Sequence, residues 1–169
     1  MPPLDVILWT FLAAYIVHII DETIIGEGFT KKIQLWFWPQ YHIGMFFWFN
    51  FACIASIALS NALYDMLGGH WVILALLWPF GFATHGVTLH LWWSIRHRAY
   101  FSGLLTSPLY WIIVYFIVRY AYLPGQISHS DFVWGVALGV GIIGGFLTFA
   151  PTYVFPALAR RRQIASTKP

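Results

Sequence analysis

Apolar runs of about 20 residues or more fill most of this chain, at 4–25, 39–62, 71–95, 102–122 and 132–155, each bounded by polar, Gly or Pro residues. At about 1.5 Å of helical rise per residue, each run is long enough to cross a hydrocarbon core of about 30 Å. Inside that core every backbone amide needs an internal partner, which leaves helices as the form such runs can take. Composition agrees: 60% of residues are apolar, 20% aromatic and 9% charged, against roughly a quarter charged in a soluble domain. The expected architecture is an all-α membrane protein, a bundle of five transmembrane helices forming one integral membrane domain over residues 1–169.

Between the first two runs lies TKKIQLWFW, in which Lys31 and Lys32 precede Trp36 and Trp38. Cations followed by indoles suit the headgroup layer, so a short interfacial segment is expected there. The opening MPPLDVILW lacks a basic n-region and no small-residue cleavage site follows it, so the first run is expected to stay in the mature protein. Cys53 is the lone cysteine, which excludes an intramolecular disulfide framework and a thiolate metal cluster; packing inside the second run accounts for it.

Cations set the expected orientation. Lys31, Lys32, Arg96, Arg98, Arg160, Arg161, Arg162 and Lys168 fall on loops of one side, whereas the other side carries Asp5, Asp65 and Asp131, with Arg119 the single exception. By the positive-inside rule the N-terminus lies outside and the C-terminus in the cytoplasm, in what we expect to be a bacterial cytoplasmic membrane. The basic balance is then a topology signal with attraction to anionic lipid, and nucleic acid is not an expected partner.

The oily first run nevertheless ends in HIIDE, so that His18, Asp21 and Glu22 occupy one helical face. Ionisable groups in hydrocarbon are costly unless a site uses them or they escape to water. His42, near the start of the second run, and His90, near the end of the third, lie at similar depth on the same side. His90, Ser94 and Arg98 follow at intervals of four and are expected to share a face. His85 lies about 140° around an α-helix from His90, by the ordinary helical turn, so it joins the same pocket only if that pocket is wide; it is open between a ligand and a hydrogen-bonded packing residue. His70 and His129 read as surface residues of the far side.

These residues carry a resemblance. HIIDE resembles the signature of the HXXEE family of small multispan membrane proteins, with Asp21 where the family has its first Glu. HLWWSIRHRAYFSGLLTSPLYW is similar to the family's second block, with matches at His90, Ser94, Arg98, Tyr100, Gly103 and Thr106 beside His18 and Glu22 in the first. The resemblance spans roughly runs one to four and implies a suspected membrane enzyme with no settled reaction.

Imidazoles and carboxylates without thiolates suit a catalytic divalent metal, zinc, iron or manganese. On this reading His18, Asp21, Glu22, His42 and His90 supply the ligands, Glu22 and Asp21 the acid–base chemistry, and Ser94 and Arg98 a grip on an oxyanion or phosphate. The expected function is hydrolytic or acid–base chemistry on an apolar or amphiphilic, lipid-like small molecule at the cytoplasmic leaflet. Two alternatives use the same residues: a metal-free proton-transfer isomerase or cyclase, and an accessory subunit without activity of its own. For the last, Gly135 and Gly139, and Gly141 and Gly145, are spaced four apart in run five and suit close helix contact, either within the bundle or with a second copy or larger complex. Pro151 and Pro156 are expected to bend the end of that run.

Overall fold

A computed structural model describes residues 2–24, 28–154 and 157. Its regular elements are all helices, with no strand among the described residues. Helix α1 (Leu4–Ile24) is the first crossing, α2 (Phe29–Trp36) a short connecting helix, and α3 (Ile43–Leu67) the second crossing. The third crossing, Gly69–His97, is continuous through α4 (Val72–His85), a π-helical stretch Gly86–Leu91 and α5 (Trp92–His97). The fourth comprises α6 (Pro108–Ile117) and a π turn to Tyr122, and the fifth runs through α7 (His129–Leu138), a π stretch Gly139–Gly144 and α8 (Gly145–Phe149). Four of these are long and apolar enough to cross a membrane, and Pro108–Tyr122 is a shorter apolar helix. The fold is the expected all-α membrane bundle.

The inward face of α1 explains where its polar end points. Leu4, Ile7, Leu8, Phe11 and Tyr15 are buried at intervals of three and four, and His18, Asp21 and Glu22 continue the same stripe. Val6, Val17, Ile20 and Ile24 face outward. A helix that buries Leu8 and Phe11 against its neighbours therefore also drives His18 and Glu22 inward, so the ionisable groups avoid lipid without reaching water.

The fourth crossing differs from its sequence reading. Its helix starts at Pro108 rather than at 102, and at about 1.5 Å per residue Pro108–Tyr122 is about 22 Å long, short of the hydrocarbon thickness. The missing depth is supplied by the 98–107 segment, which turns back into the bundle and buries Phe101, Ser102, Gly103 and Ser107. Irregular backbone at this depth is tolerated because its polar groups are met internally. The Phe101 N–H donates to Ser94 Oγ at 2.9 Å, and the Ser107 N–H and hydroxyl both donate to the Gly103 carbonyl, at 3.0 and 2.7 Å.

The segment expected at the interface forms α2, and it does more than rest on a surface. Phe29 and Ile33 are buried against Phe46, Leu89 and Phe101, so α2 roofs the interior next to His90. Its outer side carries Trp36, which stacks on His97 at 4.1 Å between ring centroids, while Lys32 lies over the Trp36 ring.

The glycines of the fifth crossing divide by face. A Cβ at Gly135, Gly139 or Gly144 would press on Leu76, the Leu77 carbonyl or Thr84, so these three let the fifth crossing pack on α4. Gly141 and Gly145 face open space. Pro156, at which a bend is expected, and the Arg160–Arg162 cations lie outside the described residues.

Candidate functional site

Two crossings, the first and the third, meet at one buried point. His18 and Glu22 come from α1 and His90 from the π stretch of the third crossing; all three side chains are buried. Glu22 Oε1 lies 3.4 Å from His18 Nε2 and 3.5 Å from His90 Nε2. One donor atom from each of the three residues falls within 4.8 Å of the others, a spacing that suits a shared metal ion. Neither His18 Nε2 nor His90 Nε2 has a hydrogen-bond partner. Buried nitrogens left this way are exceptional in a folded protein, and a cation among them would satisfy all three groups together.

Asp21 is turned the other way and acts on the cluster through Thr106. Its Oδ2 accepts from the Thr106 hydroxyl at 2.8 Å and the Thr106 N–H at 3.1 Å, and its Oδ1 accepts from the Tyr100 hydroxyl at 2.9 Å. A threonine hydroxyl has one proton. With that proton given to Asp21, Thr106 Oγ1 accepts from His18 Nδ1, 2.8 Å away. His18 then carries its proton on Nδ1 and presents a bare Nε2 to Glu22 and His90, the tautomer a metal ligand requires.

Two further features complete the site. Gly103 has φ +94°, and a Cβ there would lie 2.5 Å from His90 Cε1 and 2.8 Å from His18 Cε1, so the 98–107 turn touches both imidazoles through a residue that has no side chain. His85 is also present: the rings of His85 and His90 stand edge to face with centroids 4.9 Å apart. The widened turn Gly86–Leu91 is the reason, because π spacing brings residues five apart toward one side where α spacing would separate them.

Three residues expected at the site stand elsewhere. His42 is exposed and caps α3, its Nδ1 accepting from the Met45 N–H at 3.3 Å; it shares the cluster's end of the bundle but points away, with Phe46 buried one turn further in. Ser94 serves the turn by accepting from Phe101 N–H. Arg98 is exposed at the end of α5 in the left-handed conformation, φ 49°, so the interval of four from Ser94 no longer measures a helical face. Thr106, Gly103 and Tyr100 were visible as motif residues, but their partners on α1 lie about 80 positions away and no local spacing connects them.

A cavity of about 200 Å³ adjoins the cluster. His18, Glu22 and His85 form its polar end, and aromatic side chains such as Phe29, Phe46 and Phe82 make up much of the rest. The fold and these residues define an integral membrane helical bundle that encloses a His–His–Glu cluster beside an apolar cavity. The chain belongs to the HXXEE family, described as proteins of unknown function with an HXXEE motif, which matches residues 9–118. The match takes in every member of the cluster. Comparison with curated proteins and with solved structures returned no match.

Proposed function

We propose that the protein is a metal-dependent membrane enzyme in which His18, His90 and Glu22 hold a divalent cation, zinc, iron or manganese, and that its substrate is an apolar or amphiphilic small molecule occupying the adjoining cavity. The observation that carries this reading is the convergence of two bare imidazole nitrogens on one buried carboxylate oxygen. Two histidines and a carboxylate match donor sets that leave a position open for water or substrate. When bound, such a cation supplies Lewis acidity and a nucleophilic water at neutral pH.

The remaining roles belong to the chain's own residues. Asp21 and Thr106 hold the His18 tautomer, Glu22 Oε1 serves both imidazoles, and His85, which lines the cavity and whose Nδ1 is buried without a hydrogen bond, is the group positioned to move a proton to or from substrate. Hydrolytic or acid–base chemistry fits this arrangement. Ser94 and Arg98 take no part in it.

The proposed orientation puts the site at the cytoplasmic leaflet. It is supported by Lys31, Lys32, Arg96 and Arg98, which lie on the connections at the same end of the bundle as the cluster.

Elemental analysis of the detergent-purified protein tests the proposal. Near-stoichiometric zinc, iron or manganese is expected, lost together with thermal stability when His18 and His90 are both changed to Ala. Wild-type protein of full stability that holds no metal and does not respond to added ions would refute the metal centre and favour metal-free proton transfer by the same residues.

A further inference from the structure

The cavity is too small to enclose a lipid, and the way it reaches the bundle surface says what kind of molecule it takes. A cavity of about 150 Å³ holds a six-carbon ring such as benzene, so about 200 Å³ accommodates only the first several carbons of a chain. Any longer substrate has to leave part of itself outside. The wall provides a path. Phe49 of α3 and Phe146 of α8 both line the cavity and are both exposed on the outer face of the bundle, at 37% and 50%. Their rings stack with centroids 6.5 Å apart across the seam between the second and fifth crossings. Both rings belong to crossings long and apolar enough to span a membrane, so a chain leaving between them enters the apolar surroundings of the bundle.

The inner wall is equally suited to a tail. Its polar pair is closed on itself: the Tyr15 hydroxyl donates to Asn50 Oδ1, and Asn50 Nδ2 donates to the Phe46 carbonyl at 2.9 Å. Unpaired polar atoms are concentrated at the other end, where His85 Nδ1 and His18 Nε2 lie. A ligand with one polar end and one apolar end therefore has a single favourable direction.

We infer that the site binds a single-chain amphiphile with a small oxygen headgroup, a long-chain carboxylate or alcohol, its head against His18, Glu22 and His85 and its tail passing between Phe49 and Phe146 into the bilayer. The role given to the head rests on the proposed metal centre; the path of the tail does not. Two-chain phospholipids do not fit, because the seam and the cavity admit one chain.

Photocrosslinking of the full chain in detergent tests this with two palmitate probes, one carrying a diazirine near the carboxylate and the other at mid-chain, where the tail crosses the seam. The first is expected to label peptides holding Phe82 or His85, and the second those holding Phe49 or Phe146. Excess unlabelled palmitate should compete with both, and phosphatidylcholine with neither. Leu147→Trp, which places an indole in the cavity, should largely abolish labelling by the first probe while leaving metal content unchanged. Labelling spread over lipid-facing Trp48, Phe51 and Trp111 without competition would overturn the inference, as would equal competition by phosphatidylcholine. The competition arm needs no variant, so misfolding of Leu147→Trp does not blunt the test. Metal-free protein that labels as expected would refute the metal centre alone, and metal-loaded protein that does not would refute the tail path alone.

Discussion

His85 and His90 stand with ring centroids 4.9 Å apart although five residues separate them, a relationship that exists because the helix between them is π-wound. Only one of the pair reaches Glu22. His90 Nε2 is 3.5 Å from the carboxylate, whereas His85 lies behind it against the cavity. On the proposed function, a helix that places one imidazole on the carboxylate and the next beside the cavity would separate metal binding from proton transfer within a single turn.

The two histidines should accordingly fail differently. His90→Ala is expected to lose bound metal, and His85→Ala to retain it near stoichiometry while losing turnover once a substrate is in hand. Elemental analysis of the two purified variants reads the first difference directly. Retention of metal by His90→Ala would remove that residue from the donor set.

Thr106 should behave as a positioning residue. Thr106→Val keeps the shape but removes the hydroxyl that links Asp21 to His18, leaving a buried carboxylate short of a donor. Loss of such an outer partner costs about 10- to 100-fold in metal affinity. Competition titration with a chelator should show this weakening, and Thr106→Ser should restore affinity. Full affinity in Thr106→Val with weakening in Thr106→Ser would point to packing of the methyl group instead.

Gly103→Ala meets two obstacles at once, a left-handed backbone and an imidazole carbon 2.5 Å from the new methyl. Backbone strain of this kind costs about 1–3 kcal/mol, and relief requires the His90 and His18 rings to shift within the cluster. A lower melting temperature together with lost metal is expected. Gly125→Ala provides the control, since that glycine also has positive φ, +82°, but nothing lies within 4 Å of its Cβ position; it should lose some stability and keep its metal.

Orientation is open to chemical labelling. In a Cys53→Ala background, a cysteine at Lys32 should be protected from an impermeant thiol reagent added outside intact cells, and one at His129 should react. Outside labelling at Lys32 would reverse the orientation and move the site to the opposite leaflet.

Much of this protein is decided locally, and that part is legible along the chain. Runs of apolar residues long enough to cross a bilayer determine helices, because no other backbone form satisfies its own amides there. The intervals Leu4, Ile7, Leu8, Phe11, Tyr15, His18 and Glu22 determine that the polar end of α1 shares the face of its apolar core. That is why His18, Glu22 and His90 could be named as partners from spacing and depth. Tertiary structure decided the rest. His42 lies at the right depth yet faces outward, since depth says nothing of rotation and its side chain serves the first turn of α3. The interval from His85 to His90 separates them on an α-helix and joins them on a π turn, whose first residue packs against the 98–107 segment, where a Cβ at Gly86 would lie 3.0 Å from Ser107 Cβ. The 102–107 part of that segment reads as the start of a crossing because it is apolar; it turns instead, since Gly103 can adopt φ +94° and approach two imidazoles. The bond from Thr106 to Asp21 spans 85 positions, and a contact of that range is set by how the helices pack, not by any pattern in the segments that supply its ends.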